Sequence, residues 1–505
     1  MTQGQLYVVL LAGGLVLLAG VAAARLASRI GLPGLLLFLV LGVLIGEDGL
    51  GITFDDAQLA QNLGLAALAI ILVEGGLTTR WADVKPVLAP AAVLATVAVI
   101  ISVAVTAVGG HLLLGLDWQL ALLLGAILSS TDAAAVFAVL RDMPISRRLA
   151  GLVEAESGFN DAPTVILVTL FATQTLADAN VIELGLNMIY QLVVGGLIGL
   201  VIGRLGVTAL RRIALPATGL YPVTAFGLGI VAFAAAGVAQ ASGIIAAYLS
   251  ALVMGNSGLP HRVATRSFAE GMGWLAQIGL FVLLGLLISP SELPGQLVTA
   301  LVVGAVLALI ARPISVFVCL TPFRVPWREQ VFASWAGLRG AVPIVLSTIP
   351  AVAGVPGSGN VVGIVFVTVL AFTLLQGPTL PRLTRWLGLA SPQPATRELV
   401  VEAAPLDTLG AVLLTVTVPS ESRLPGVALH ELRLPRLAVV PLIVRDGQPF
   451  VPQRDTRLAA GDEVLVVTTA ADREATEKRL RAVSRRGKLA HWFGETGDTT
   501  PTDRE

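Results

Sequence analysis

The chain has 505 residues, with 33 acidic and 33 basic side chains, so no excess of positive charge draws it to nucleic acid. It is 55% hydrophobic and only 13% charged, against about 25% charged in ordinary globular proteins, and its mean hydropathy is +0.85. These values exclude a soluble fold for most of the chain and define an all-α polytopic membrane protein. A single cysteine, Cys319, rules out a disulfide framework or a thiolate zinc site, and the four histidines do not pair at metal-ligand spacing. No cofactor is expected. The 53 glycines point to closely packed small-residue helices.

Apolar segments follow one another at 6–24, 32–46, 59–79, 86–114, 118–140, 149–176, 184–210, 218–239, 243–256, 268–289, 294–320, 330–350 and 360–381. Two of them, 32–46 and 243–256, are short for a perpendicular span. The first segment could instead be a signal peptide ending at Ala22-Ala23-Ala24, but it lacks a positive n-region. Charge provides an independent check on the count. Basic residues follow the odd-numbered segments: Arg25 and Arg29, then Arg80 and Lys85, then Arg141, Arg147 and Arg148. Next come Arg211 and Arg212, then Arg262 and Arg266, then Arg324 and Arg328, and finally Arg382, Arg385 and Arg397. Arg312 is placed to snorkel toward the sixth of these loops. The other loops carry no Lys or Arg, but hold Glu47, Asp48, Asp55, Asp56, Asp117, Asp178, Glu183 and Glu292. A missing or extra span would break this alternation. It predicts thirteen spans, with the N-terminus outside and the C-terminus in the cytoplasm.

Several polar residues fall inside these segments, where a charge costs at least a few kcal/mol and marks a functional site by default. Glu74 lies near the end of segment three and is either functional or a snorkelling end residue. Asp132, in Ser129-Ser130-Thr131-Asp132, lies midway along segment five, where local side-chain bonds to the backbone compete with a continuous helix. Segment six carries Glu154-Ala-Glu156-Ser157-Gly158-Phe159-Asn160-Asp161-Ala162-Pro163. Glu154, Ser157 and Asp161 share one helical stripe, and Glu156 and Asn160 form an i, i+4 pair beside it. Arg339, in Gly337-Leu338-Arg339-Gly340-Ala341-Val342-Pro343, stands in the middle of segment twelve. Either that segment dips in and out of the membrane, or Arg339 pairs with an acid of the 154–161 cluster; the scarcity of other intramembrane acids favours pairing. Segments five and twelve are each fifth in their half if segment seven links two six-segment repeats. Interrupted segments in matching positions of two halves point to a transporter site, and an odd linker inverts one half in the membrane.

Composition changes after about Pro392. The division expected is a transmembrane domain over 1–390, a linker over 391–405, a soluble α+β domain over 406–488 and a disordered tail over 489–505. Strands are predicted from Ala411 and from Leu437 to the turn at Gly447, then a turn at Gly461-Asp462 leading into another strand, then a charged helix from Ala471 to Arg485.

Acids and a hydroxyl in broken helices suit a small dehydrated cation, with half-helix ends supplying dipoles. The same carboxylates bind protons, so cation and proton compete for one site. That is the minimal chemistry of an antiporter. Asn160 beside Asp161 adds a neutral amide rather than a second charge.

The motif Glu156-Ser157-Gly158-Phe159-Asn160-Asp161 resembles the Asn-Asp motif of NhaP-type monovalent cation:proton antiporters, the cation:proton antiporter-1 family. Ser130-Thr131-Asp132 and Gly337-Leu338-Arg339-Gly340 resemble its two interrupted helices, and the resemblance covers roughly residues 5–390. It implies an inverted-repeat fold, a homodimer built through helices one to three and eight to ten, and a six-helix core that moves like an elevator. It implies that Asp161 is the transport carboxylate, that Asp132, Ser157, Glu74 and Thr131 help coordinate the ion, and that Asn160 bonds across to the broken helices. It further implies that Glu156 pairs with Arg339 as a structural bridge and that exchange is electroneutral. Glu154 lies outside the motif and is either an access-path acid or a snorkelling end residue. The soluble segment, through Ser422-Arg423-Leu424-Pro425-Gly426, Asp446-Gly447, Pro452 and Gly461-Asp462, resembles a TrkA-C domain. The combination is similar to potassium/proton antiporters of the cell volume regulation protein A type, which favours K⁺ over Na⁺ and leaves room for a small regulatory ligand on the tail. No Gly-rich phosphate loop is present. A regulated channel would need a continuous polar pore or a repeated filter, and neither is found. An intramembrane aspartyl enzyme built on Asp132 and Asp161 is disfavoured by Arg339 and the inverted halves.

Overall fold

A computed structural model describes residues 3–30, 34–52, 54, 56–140, 145–173, 181–213, 215–390, 401–406, 411–469 and 471–487. The expected tail, most of the linker (391–400) and the loop charges Asp55, Arg141, Asp178 and Arg397 lie outside these residues. The chain divides into two units, Met1–Ala390 and Ser391–Glu505.

The first unit is helical. Its elements are α1 (Gln3–Ile30), α2 (Gly34–Ile45), α3 (Ala57–Thr78), α4 (Trp81–Leu114), α5 (Trp118–Ser129), α6 (Ala133–Val139), α7 (Arg147–Thr173), α8 (Val181–Arg212), α9 (Leu220–Val238), α10 (Gly243–Gly255), α11 (Arg262–Leu286), α12 (Leu297–Phe323), α13 (Trp327–Trp335), α14 (Ala341–Val352) and α15 (Ser358–Trp386). Among the described residues, eight helices are long and apolar enough to cross a membrane, and four shorter ones (α2, α5, α10 and α14) are apolar. The 27-residue α7 is not among the eight, because it carries the polar stripe. Local chemistry sets several boundaries. The Asp56 side chain accepts from the Leu59 N–H at 2.8 Å to open α3, and Asp117 accepts from the Gln119 N–H at 2.9 Å to open α5. Gly115, left-handed at φ +64°, closes α4. A π-turn interrupts α4 at Leu94–Ala98, and another interrupts α12 at Leu307–Ala311.

Glycine lets the two short helices pack backbone to backbone. A Cβ on Gly42 of α2 would collide with the Val282 carbonyl of α11, and one on Gly76 of α3 would collide with the Tyr248 carbonyl of α10. Helices too short to bury themselves alone are thereby held at close range.

The described residues of the second unit hold five strands, β1 (Val401–Leu406), β2 (Ala411–Thr417), β3 (Val439–Arg445), β4 (Gln448–Phe450) and β5 (Glu463–Thr469), in antiparallel order β1-β2-β5-β3-β4. One helix, α16 (Arg473–Arg486), follows. Asp446 and Gly447, both at positive φ (51° and 78°), form the hairpin turn between β3 and β4. Leu414, Val416, Ile443, Val464, Val466, Leu480 and Val483 make the core. The turn at Gly461-Asp462 is fixed by Asp462, which is fully buried. Its carboxylate accepts from Arg445 Nε and Nη2, each at 2.8 Å, and from the Ala459 N–H at 2.7 Å. Burial pushes this carboxyl up, but Arg445 and the Ala459 N–H together outweigh it and hold the group below the usual carboxylate range.

Candidate functional site

The site forms where two broken helices meet the polar stripe of α7. The first break lies between α5 and α6, at Ser130-Thr131-Asp132; Ser130 is extended (φ −62°, ψ 141°). The second lies between α13 and α14, at residues 336–340, with Gly340 off the helical conformation at φ −108°, ψ −142°. The breaks touch: the Asp132 N–H donates to the Leu338 carbonyl at 2.7 Å. The Asp132 carboxylate packs so closely on Gly340 that a Cβ there would overlap it.

The helix α7 runs without interruption through Pro163, whose missing N–H leaves the Phe159 carbonyl without its usual helical donor. Its stripe satisfies the first break. Ser130 Oγ donates to Asp161 Oδ1 at 2.6 Å. Asn160 Nδ2 donates to Thr131 Oγ1 at 2.6 Å. Ser157 Oγ donates to the Thr131 carbonyl at 2.9 Å and accepts from the Ala133 N–H at 3.1 Å. Ser129 and Thr164 join their hydroxyls at 3.1 Å. Asn160 and Asp161 are 0% and 6% exposed, so these contacts stand in for most of the water the two side chains give up on burial.

The arrangement corrects one expectation. Glu156 pairs with Arg312, not Arg339: Arg312 Nη1 lies 2.5 Å from Glu156 Oε1, a close charge pair that is not aligned as a directed hydrogen bond. Arg312 does not snorkel. It shares a buried stripe with Ser315, Val316 and Cys319, and its Nη2 donates to the Ala333 carbonyl at 3.2 Å. Arg339 has other work. Its Nε donates to the Leu128 carbonyl at 3.1 Å, and its Nη1 donates to the Gly337 carbonyl. The Leu128 carbonyl lies in the last turn of α5, where the helix dipole concentrates negative potential, and the Gly337 carbonyl lies within the second break, so Arg339 neutralises one half-helix end and ties it to the other break.

A cavity of about 310 Å³ opens on this constellation, lined by Asp161, Asp132, Thr131, Ser130 and Ser157 together with Glu74, Glu154, Thr79, Tyr248 and Gln277. Four acids expected from the sequence thus reach one cavity, while Glu156 and Asn160 stand behind its wall. The acids fall into two groups. Asp161 feels the charge of Asp132. Glu74 feels Glu154, Glu270 and Arg266. Glu154 is not a free end residue, because Thr79 Oγ1 donates to its Oε1 at 2.7 Å, and Tyr248 stands next in line with its hydroxyl 3.5 Å from the same Thr79 oxygen. Ser130, Thr79, Tyr248 and Arg312 are the residues that sequence reasoning left out. Of these, Ser130 was legible in its Ser-Ser-Thr-Asp run, and Arg312 in its i, i+3 spacing with Ser315. Among the described residues no cluster of histidine, cysteine or carboxylates suits a resident metal.

Buried carboxylates at crossed helix breaks in a membrane-embedded helical fold define a secondary ion transporter rather than an enzyme. Comparison with known proteins places the chain within that class. Residues 14–386 match the family model for the transmembrane region of sodium/hydrogen exchangers, and residues 413–481 match the TrkA-C domain. The chain is 36% identical over 493 residues to the K(+)/H(+) antiporter NhaP of Alkalimonas amylolytica, covering 95% of this chain and 85% of that protein. It is 35% identical to the K(+)/H(+) antiporter NhaP2 of Shewanella baltica, covering 96% and 85%. The fold is similar to that of the sodium proton antiporter MjNhaP1 from Methanocaldococcus jannaschii, with a TM-score of 0.66, 22% identity, and coverage of 76% of this chain and 99% of that one. The chain belongs to the sodium/hydrogen exchanger family of cation:proton antiporters and carries a C-terminal TrkA-C domain.

Proposed function

We propose that this protein exchanges potassium for protons, one for one, with Asp161 as the carboxylate that binds each in turn. The observation carrying this reading is the position of Asp161: buried, held by one hydroxyl donor, at the cavity where both broken helices end. A carboxylate so placed has too few fixed donors to satisfy it, and either a dehydrated cation or a proton completes it. Asp132, Ser157, the Thr131 carbonyl and Glu74 add oxygens from the same cavity wall. Asn160 ties Thr131 in place without adding charge. Glu156 supports the site through Arg312, Arg339 supports it by tying the end of α5 to the second break, and Glu154 lies on the access path.

The reading extends to architecture. Thirteen spans, with the second six inverted on the first, are supported by two matched irregularities. Breaks fall in the fifth helix of each half, and π-turns fall in the fourth, α4 and α12. The loop charges support an external N-terminus and a cytoplasmic C-terminal domain, the TrkA-C match supports a small ligand on that domain, and the antiporter relatives support a location in the cell membrane. The protein works as a homodimer in which the six-helix core carrying α4–α7 and α12–α15 moves against the rest.

Potassium is favoured by the names of the relatives and by the TrkA-C domain. Sodium is the second reading, favoured by a relative 29% identical over 347 residues, the Na(+)/H(+) antiporter NhaS2 of Synechocystis. Proteoliposomes with a trapped pH dye, challenged with K⁺, Na⁺, Li⁺ and Rb⁺, separate the two. Asp161→Asn is expected to abolish exchange for every cation. Wild-type rates in that variant would overturn the assignment, and a rate that follows membrane potential would overturn one-for-one exchange.

A further inference from the structure

A second cavity, of about 410 Å³, lies away from the ion site, between α12, α13 and α15. Its walls are Ala308, Pro313 and Phe317 of α12, Val331 and Trp335 of α13, and Leu383 of α15. The polar groups at its edge are already occupied. Trp335 Nε1 donates to Thr379 Oγ1 at 2.9 Å, and Ser334 Oγ donates to the Gln330 carbonyl at 2.8 Å. What remains is apolar. From Ala308 to Phe317 the crevice follows nine residues of helix, about 14 Å at the helical rise. That is a length suited to an acyl chain rather than a compact solute.

The three helices that build the crevice also converge in charge at one end. Arg324 follows α12, Arg328 opens α13, and Arg382 and Arg385 close α15; all four are exposed. The Arg328 guanidinium lies against Gly388, just past α15, so the three ends meet. Arg382 and Arg385 bond only to carbonyls of their own helix, those of Pro378 and Pro381, and Arg328 lies over the Trp327 ring. From Leu297 to Ala390 the sequence has one acid, Glu329, against six arginines. Trp327 and Trp386, 56% and 75% exposed, stand at the same level, as aromatic side chains do at a membrane interface.

We propose that this crevice binds an anionic phospholipid, its acyl chain lying between Phe317, Val331 and Leu383 and its phosphate at Arg328, Arg382 and Arg385. Basic pockets between membrane helices recognise charged headgroups in this way. The site bears on transport because Trp335, one of its walls, is the last residue of α13, directly before the break at 336–340. The bound lipid braces the half-helix that leads into the break carrying Arg339. The proposal does not depend on which cation is exchanged.

The test is native mass spectrometry of the full chain, purified in detergent and titrated with phosphatidylglycerol or phosphatidylcholine of the same acyl composition. Wild type is expected to retain one phosphatidylglycerol on the order of a hundredfold more strongly than phosphatidylcholine, with about fivefold lost for each of the three arginines removed. Arg382→Gln/Arg385→Gln changes only exposed side chains and is expected to lose that preference. Leu383→Trp fills the crevice and is expected to lose the bound lipid with its arginines intact. Equal retention of the two lipids by wild type would overturn the proposal, as would retention by Leu383→Trp at the wild-type level.

Discussion

Replacing Arg312 with glutamine tests the internal framework of the site most directly. The Glu156 and Arg312 side chains are 3% and 6% exposed, and their charges face each other at 2.5 Å. Glutamine keeps polar reach but deletes the cation, stranding a buried carboxylate. Breaking a buried pair from one side costs roughly 3–5 kcal/mol, a large share of the about 5–15 kcal/mol that holds a typical domain together. Removing both charges, in Glu156→Gln/Arg312→Gln, is expected to restore most of the loss, because a neutral pair of similar volume escapes the desolvation cost. Arg339→Gln breaks different bonds: it uncovers the Leu128 carbonyl at the end of α5 and the Gly337 carbonyl in the break, bonds to a charged group worth about 1.5–3 kcal/mol each, and Glu156→Gln is not expected to rescue it. Heat the five proteins in detergent and follow the monodisperse fraction by size exclusion. If Arg312→Gln survives heating like wild type, or if Glu156→Gln rescues Arg339→Gln instead, the pairing is Glu156–Arg339 and the framework described here is wrong.

Further outcomes follow from single contacts. Ser130→Ala removes the hydroxyl donor to Asp161; a bond to a charged group is worth about 1.5–3 kcal/mol, so the apparent cation KM in proteoliposomes is expected to change by about tenfold or more, and an unchanged KM would remove Ser130 from the site. Gly340→Ala places a methyl on the Asp132 carboxylate; transport is expected to fall sharply while the protein elutes as wild type, and normal transport would mean that Asp132 moves freely. In the TrkA-C domain, the Asp462 carboxyl is held below its ordinary value, so its contribution to stability is present above about pH 4 and is lost as pH falls through the folded value. Arg445→Gln is expected to weaken that domain at neutral pH and flatten its acid sensitivity, read by limited proteolysis of the full chain across pH; an unchanged digestion profile would refute the role of this pair.

The success and failure of sequence reading at this site have one physical origin. Hydrophobic runs and loop charge report where a segment crosses the membrane, and Ser-Ser-Thr-Asp and the glycines of 337–340 report where a helix cannot continue. Both are local properties of the chain. That is why the breaks and the stripe could be read before any coordinates, whereas the joining of Asp161, Asp132 and Glu74 in one site came from the family resemblance and the place of Glu154 stayed open. The partner of Glu156 is not local. Sequence reading offers only Arg339 and sets Arg312 aside as a snorkelling residue; seeing Arg312 as the partner requires the rotation of α12 about its own axis. The π-turn at Leu307–Ala311 ends immediately before Arg312. Such a turn adds a residue to the helix and advances every following side chain by about 100°. The lipid-facing side of α12 before the turn, marked by Leu301 and Val298, therefore does not predict the lipid-facing side after it, marked by Ile314, Phe317 and Val318. A uniform 3.6-residue period carried across the turn misplaces the face of Arg312, and the residue reads as a snorkelling end. Read within the later turns alone, Arg312, Ser315, Val316 and Cys319 fall on one stripe, which the fold buries. The π-turn in α4, at Leu94–Ala98, shifts the face of that helix in the same way. A one-residue deletion within Leu307–Ala311 is therefore expected to turn Arg312 away from Glu156 and to reproduce the heat sensitivity of Arg312→Gln, a loss that Glu156→Gln would relieve.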